Sequence, residues 1–450
     1  MSEEEKLKRV LGLGYTTLFG VGLILGAGIY VLIGRAAGFS GDAVWLSVLF
    51  STFIALTTGF SYAELSSMYP TAASTHTYIE KAFPRRSLLA FIAGWLIFFE
   101  GVAGAATASV GFARYFTQLF SMSEYWIPFI AIALVVILSF VNWWGIEESA
   151  LMTVIFTFVE AGGLALVVFL GFMFPQRSPN YLGFNPTLDP IIGILIGAAV
   201  FYFAFTGFEL QPTLSEETRE PRKTIPRAII LALLVTSLLY LLVALAVVRL
   251  LPWDMLAESR APLADAAATA WKPAYMVLMF IALFSTTNTV LGFLVSASRL
   301  AYGLASEGIL SERLARVDKW KRTPYVSVLV SGLIAVLTIL VTVYLPEITG
   351  LEVKFGEVEY KLIDMVGKTS SLAAILAFIM VNIAVIILRF TKPDYKRYFT
   401  IPVNIGRFPL LPAISVALIV FFLAVSFTDW IIWVSTAIVV LIGLIFYRKS

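Results

Sequence analysis

Cysteine is absent from this 450-residue sequence, histidine occurs once, and only 14% of the residues are charged. No disulfide framework can form, and no Cys/His cluster is available to hold a metal or to activate a nucleophile. The net charge is +3, far short of the basic face that nucleic-acid binding requires. Ordinary soluble domains carry about 25% charged and 45–50% apolar residues. Here 59% of the chain is hydrophobic and the mean hydropathy is +0.90. A soluble enzyme and a nucleic-acid-binding protein are thereby excluded.

The chain has instead apolar runs of roughly 20 residues, enough to cross about 30 Å of hydrocarbon at 1.5 Å per residue. About twelve spans are expected, near 12–36, 42–68, 87–116, 125–144, 147–174, 189–214, 225–250, 274–305, 325–345, 362–389, 409–427 and 429–447. The first apolar run extends from Leu11 to Gly34, longer than the roughly 7–15-residue core of a signal peptide, so it is expected to be a retained helix. No Pro/Ser-rich linker divides the spans, and residues 1–450 read as a single all-α transmembrane domain. Leu251–Lys272 is too polar to span and is expected to lie as a short helix at the surface. With the N-terminus placed in the cytoplasm, inner segments hold 22 of the 32 Lys and Arg and outer segments nine. That is the bias the positive-inside rule asks for. The expectation is a multi-pass protein of the cell membrane with both termini cytoplasmic.

The first span contains Gly20, Gly22, Gly26 and Gly28, four glycines within nine residues near its middle. Taken alone, this suits a small-residue packing seam as well as a break in the helix. Five spans later, Phe203-Ala204-Phe205-Thr206-Gly207-Phe208-Glu209 places another glycine at mid-span, beside a carboxylate. Interruptions at matching positions of two five-span halves point to a transporter site between inverted repeats. The repeats are expected at about 12–174 and 189–389, with two extra helices at 409–447. A broken helix exposes free N–H groups at one half and free carbonyls at the other. A zwitterion suits such a pair of breaks, and an amino acid is the simplest zwitterion.

Four strings carry a resemblance: GVGLILGAGIYVLIG, SYAELSSMYPTAAS, FAFTGFE with SEETREPRKTIPRAI, and ALFSTTNTVLGFLVSASRLAYGLASEGIL. In joint order and spacing the sequence resembles the amino acid–polyamine–organocation superfamily of permeases across essentially the whole chain. The resemblance implies the leucine-transporter-type fold, with the first and sixth spans broken, and secondary active transport of amino acids by alternating access. Sodium-coupled symport and amino acid exchange are alternatives to proton coupling. A substrate sensor or a channel on the same fold is the alternative of another class. The resemblance also implies that Gly26, Ala27 and Gly28 hold the substrate carboxylate by backbone N–H groups. Carbonyls of Ile24, Phe203 and Thr206 would take the amine, with Gly207 at the second break and Phe203 as an aromatic gate. Leu25 and Tyr30 depart from the commoner Ile or Met and Phe, without touching the backbone contacts.

A mid-span carboxylate costs at least about 2.5–3.5 kcal/mol on insertion scales and, when buried, leans to the protonated form. Glu100, Glu160 and Glu209 are the three that stand out. The resemblance implies a gating or proton-coupling role for Glu209 and a link to cationic substrates for Glu100. Glu160 stands where many relatives have a lysine, so the sign is reversed. Together with Gly22, Ser285 and Thr286, it is expected to take a coupling proton, with Na⁺ as the other candidate ion. No cofactor is expected; the partners are an amino acid and the lipid bilayer. His76, just beyond the second span, is expected in a surface or loop role. Glu64, Glu216 and Glu217 are expected to pair with Arg219, Arg222 and Arg227, and Arg299 to sit near the inner end of the eighth span. Gly101, Ala105 and Ser109, with Gly104 and Ala108, read as a packing seam. Trp126, Trp143, Trp144, Trp430 and Trp433 read as interfacial anchors.

Overall fold

Hydrocarbon leaves a backbone no water to bond with, so a chain of this composition satisfies its amides within helices. The computed structural model describes residues 7–350, 353–355 and 358–447, and the side chain of Ala27 lies outside the described residues. Sixteen α-helices follow one another among them: α1 (Leu13–Ser40), α2 (Val44–Met68), α3 (Thr75–Ala82), α4 (Ser87–Leu119), α5 (Ile127–Trp144), α6 (Ile146–Met173), α7 (Pro190–Tyr202) and α8 (Pro221–Leu250). The rest are α9 (Trp253–Glu258), α10 (Pro262–Ala270), α11 (Ala274–Ser306), α12 (Tyr325–Ile339), α13 (Leu345–Thr349), α14 (Leu362–Thr391), α15 (Leu410–Ser426) and α16 (Trp430–Phe446). Two short hairpins, Val353–Phe355 with Val358–Tyr360 and Asn404–Ile405 with Phe408–Pro409, are the β-structure described.

Nine segments among the described residues are long and apolar enough to cross a membrane. α15 and α16 form a further apolar pair bent by 118°, and Leu13–Gly26 is a shorter apolar helix. The expected first and second spans are joined by only the single turn Gly41–Ala43. The segment Leu251–Lys272 corrects the sequence expectation. It forms two helices, α9 and α10, not one, and Leu256, Leu263, Ala266 and Ala267 are fully buried against the bundle. Gly34 permits this, since a Cβ there would strike the Leu256 carbonyl and the Pro262 ring.

The core is organised around α1, which packs against α6, α7, α8 and α11. α4 lies along α11 through the expected small-residue seam. A Cβ on Gly101 would come within 2.8 Å of Ala297 Cβ, and one on Gly104 within 2.8 Å of the Phe293 ring. Close approach of this kind is how helices associate where lipid removes the hydrophobic drive. Trp126, Trp144, Trp430 and Trp433 are exposed near helix ends, where amphipathic rings suit a membrane–water boundary.

Candidate functional site at two broken helices

Both expected interruptions are visible in the backbone. Within α1, Gly26 has non-helical angles (φ 0°, ψ −169°). After α7 the chain passes through a 3₁₀ turn, Phe203–Phe205, then an extended Thr206 (ψ 149°) and Gly207 at φ 121°, before the 3₁₀ segment Phe208–Leu214. That φ suits glycine, and a Cβ at Gly207 would also lie 3.0 Å from the Leu23 carbonyl group. The two breaks touch a second time, where a Cβ on Gly28 would meet Ala204 Cα at 3.1 Å. Glycine at 28 and 207 therefore lets two irregular stretches of backbone pack directly against each other.

A cavity of about 1310 Å³ reaches these breaks. Its deep end is formed by Ile24, Gly26, Gly28, Glu100, Phe203, Ala204 and Thr206, and its flank by Thr286, Thr289 and Phe293 of α11. It follows the C-terminal half of α4 outward to a charged mouth at Arg114, Glu124, Arg260 and Asp364. Phe203 lines the cavity and also packs edge-to-face on Phe427, with centroids 5.6 Å apart. Polar walls around irregular backbone are the setting in which such backbone is tolerated at membrane depth.

The carbonyls expected to receive an amine already have local donors. Tyr240 Oη on α8 lies 2.6 Å from the Ile24 carbonyl and 3.1 Å from that of Ala204. The Phe203 carbonyl accepts from Thr206 Oγ1 at 2.9 Å and from Thr206 N–H at 3.3 Å. A carbonyl oxygen has two lone pairs and can accept again. Tyr240 thus ties the first break to the second through one hydroxyl.

At the opposite, N-terminal side the bundle is shut. Val10 and Leu11 donate their N–H groups to the Glu217 carbonyl at 2.9 and 3.0 Å, and Arg219 N–H donates to the Leu11 carbonyl at 2.8 Å. Beneath this bridge Arg299, fully buried, donates to both oxygens of the Glu217 carboxylate at 3.0 and 3.1 Å. Its remaining nitrogen also donates to Asn142. Gln211 Nε2 reaches across Gly20 to donate to the Thr16 carbonyl at 2.9 Å.

These pairs correct the expected ones. Glu217 is partnered by Arg299 rather than by Arg219, Arg222 or Arg227. Glu64 is held by Arg389 at 2.6 Å and Arg397 at 3.0 Å, and it accepts from Ile401 N–H at 2.9 Å. Glu216 accepts from the Ala72 N–H, and burial pushes its carboxyl group above the usual carboxylate range. Long-range packing brought these arginines in from other helices, which chain proximity does not reveal. His76 is likewise not at the surface. It is buried in α3 with Nδ1 3.0 Å from Glu307.

The three mid-span carboxylates are all buried. Glu209 is folded back on the second break, with both oxygens accepting from Gly207 N–H at 2.8 and 2.9 Å. Glu100 lines the cavity near Glu209. Glu160 lies away from the cavity lining, in contact range of Asn288, with Tyr30 and Tyr240 beside it. Neither of its oxygens accepts a hydrogen bond among the described residues. The residues packed directly on Gly22 are Thr157 and Asn288, and Asn288 Nδ2 donates to Thr157 Oγ1 at 3.2 Å. Of the expected α11 residues, Thr286 lines the cavity flank while Ser285 is buried with an unpartnered hydroxyl. Tyr240, Thr157 and Asn288 escaped the sequence reading. Each is an ordinary polar residue in an apolar helix, and only the fold shows what it faces.

Comparison with known proteins agrees with this architecture. The family model for amino acid permeases matches residues 11–446. The chain is 27% identical over 468 aligned positions to the branched-chain amino acid permease BcaP of Bacillus subtilis (strain 168), covering 99% of this chain and 94% of that protein. It is 25% identical to the methylthioribose transporter of the same organism, covering 100% and 95%. It is 28% identical to the vacuolar cationic amino acid transporter 2 of Arabidopsis thaliana, over 87% of this chain and 62% of that longer protein. A membrane-embedded helical bundle, a cavity ending at two touching helix breaks and a family match over nearly its full length lead to one assignment: this chain belongs to the amino acid permease family.

Proposed function

We propose that the protein is a proton-coupled secondary transporter of amino acids that binds the substrate zwitterion between the breaks at Gly26–Gly28 and Phe203–Gly207. The observation that carries this reading is the cavity, which is open at one end, shut at the other, and floored by both breaks. An open channel would have no such closure. The relatives' names differ in cargo, two amino acid carriers and a sugar-derivative carrier, so the family alone does not fix the substrate. Paired N–H and carbonyl ends favour a zwitterion.

Coupling is assigned to Glu160. Burial without a strong partner makes its charged form costly, so a proton is the simplest cation to accompany it. Tyr240, next to Glu160, bridges the Ile24 and Ala204 carbonyls, which supports a link between this carboxyl group and the two breaks. The orphaned oxygens of Ser285 and Asn288 are donors that a Na⁺ reading would use. Uptake into proteoliposomes under an imposed pH gradient or an imposed Na⁺ gradient separates the two. The pH gradient should drive accumulation in the wild type but not in Glu160→Gln, which should retain equilibrating uptake. Accumulation driven by Na⁺ alone would replace the proton in this scheme.

A further inference from the structure

The turn between α11 and α12 lies outside the cavity, yet its backbone is closely determined. Asp318 N–H donates to the Thr323 carbonyl, and Arg322 N–H to the Asp318 carbonyl, both at 2.9 Å, so the two ends of the turn hold each other. Asp318 Oδ1 accepts from the N–H groups of Trp320 and Lys321 at 2.9 and 2.8 Å. Arg322 is held at φ 55°, a conformation that residues with a Cβ rarely adopt. What this bonding presents is Trp320, which is 92% exposed.

Two contacts fix the turn to the end of α5. Thr323 Oγ1 donates to the Trp143 carbonyl at 3.0 Å, and Lys321 Nζ stands 4.5 Å from the centre of the Trp144 ring. From there exposed apolar side chains continue along two neighbouring helices, Phe140 and Ile137 on α5 and Leu329 and Leu333 on α12. Such a face suits lipid tails, so the turn hangs at the level where tails give way to headgroups. Glu147, at the start of α6, is bonded by Lys8 Nζ at 2.7 Å, which puts the turn on the shut, N-terminal side of the bundle. Residues 312–322 carry five cations, Arg313, Arg316, Lys319, Lys321 and Arg322, against Glu312 and Asp318. Of those two carboxylates, Asp318 is engaged by the turn itself.

We infer that this turn is a seat for the headgroup of an anionic phospholipid. The tails lie along Phe140 and Leu329, and the Trp320 ring lies among the headgroups, where amphipathic rings are at home. Lys319, Lys321 and Arg322 surround the phosphate with charge-assisted donors. A zwitterionic lipid brings its own ammonium into this cluster and is disfavoured there. The seat is independent of what the protein carries.

The full-length protein is reconstituted into phosphatidylcholine vesicles containing a minor fraction of phosphatidylglycerol. In one preparation the phosphatidylglycerol is brominated near the headgroup end of its tails, and in the other an equal amount of the phosphatidylcholine is. Bromine quenches tryptophan at close range, and the difference between wild type and Trp320→Phe isolates Trp320. Its quenching should report phosphatidylglycerol enriched over phosphatidylcholine. The enrichment should fall by roughly fivefold for each of Lys319→Gln, Lys321→Gln and Arg322→Gln, while quenching by phosphatidylcholine persists. Arg85→Gln with Arg86→Gln, which removes exposed cations before α4, should leave the enrichment unchanged. Equal quenching by the two lipids would overturn the seat, as would an equal loss in the Arg85/Arg86 variant. A Trp320 that neither lipid quenches would also overturn it, and would mark the turn as a surface for a soluble partner.

Discussion

The Arg299–Glu217 pair offers the sharpest perturbation of the conformational equilibrium. Both side chains are buried, at 0% and 1% exposure, and Glu217 also accepts the N–H groups of Val10 and Leu11 through its carbonyl. Glu217→Gln keeps the shape and the backbone bonds but leaves the guanidinium without its counter-charge. Stranding one member of a buried ion pair costs about 3–5 kcal/mol. Opening the N-terminal side would return Arg299 to water and relieve that cost. The closed-to-open ratio should then fall by roughly 10²–10⁴-fold. The chain has no cysteine, so single reporters are clean. Ser215→Cys, buried on the N-terminal side, should gain reactivity towards a polar thiol reagent in the Glu217→Gln background. Ala108→Cys, on the cavity wall, should lose it. Unchanged labelling at both positions in a folded variant would refute the claim that this pair holds the N-terminal side shut.

The two breaks make further predictions. Gly28→Val adds bulk where even a Cβ lies 3.1 Å from Ala204 Cα, so it should abolish amino acid binding while leaving the helical circular dichroism unchanged. Tyr240→Phe removes the donor shared by the Ile24 and Ala204 carbonyls and should weaken substrate affinity or stability by about 1–3 kcal/mol, read by binding and thermal melts. Gly22→Ala forces a methyl group against Thr157 and Asn288; it should alter the gradient dependence of uptake more than equilibrium binding. Glutamate should be a poor competitor beside lysine or alanine, because two carboxyl groups, Glu100 and Glu209, already occupy the pocket end.

The layout of helices was largely legible because hydrocarbon thickness and backbone satisfaction dictate long apolar segments. The breaks were legible as a pair: Gly20–Gly28 alone suits a packing seam equally well, and it is Gly207 beside Glu209 at the matching place five spans later that points to backbone lining a cavity. The Gly101 and Gly104 seam was legible from spacing alone. Side-chain partners were not. Arg299 and Glu217 are 82 positions apart, and Glu64 meets Arg389 across 325, so nothing in the local pattern links them. Tyr240 is a lone tyrosine in an apolar helix, and its place over the Ile24 carbonyl follows from how α8 crosses α1. His76 falls between recognisable spans, which reads as loop, yet α3 folds back into the bundle and buries it.

The central claim is that a zwitterion bridges the two breaks, its carboxylate on the Gly26–Gly28 N–H groups and its ammonium on the carbonyls. The most direct measurement is competition against uptake of the labelled amino acid that the protein transports best. The competitors are that amino acid, its decarboxylated amine and its deaminated acid. Losing either charged end forfeits charge-assisted hydrogen bonds worth about 1.5–3 kcal/mol each. The amine and the acid should therefore compete at least roughly tenfold more weakly than the amino acid itself. Equal competition by either one would mean that one end of the zwitterion is not held, and would contradict binding across both breaks.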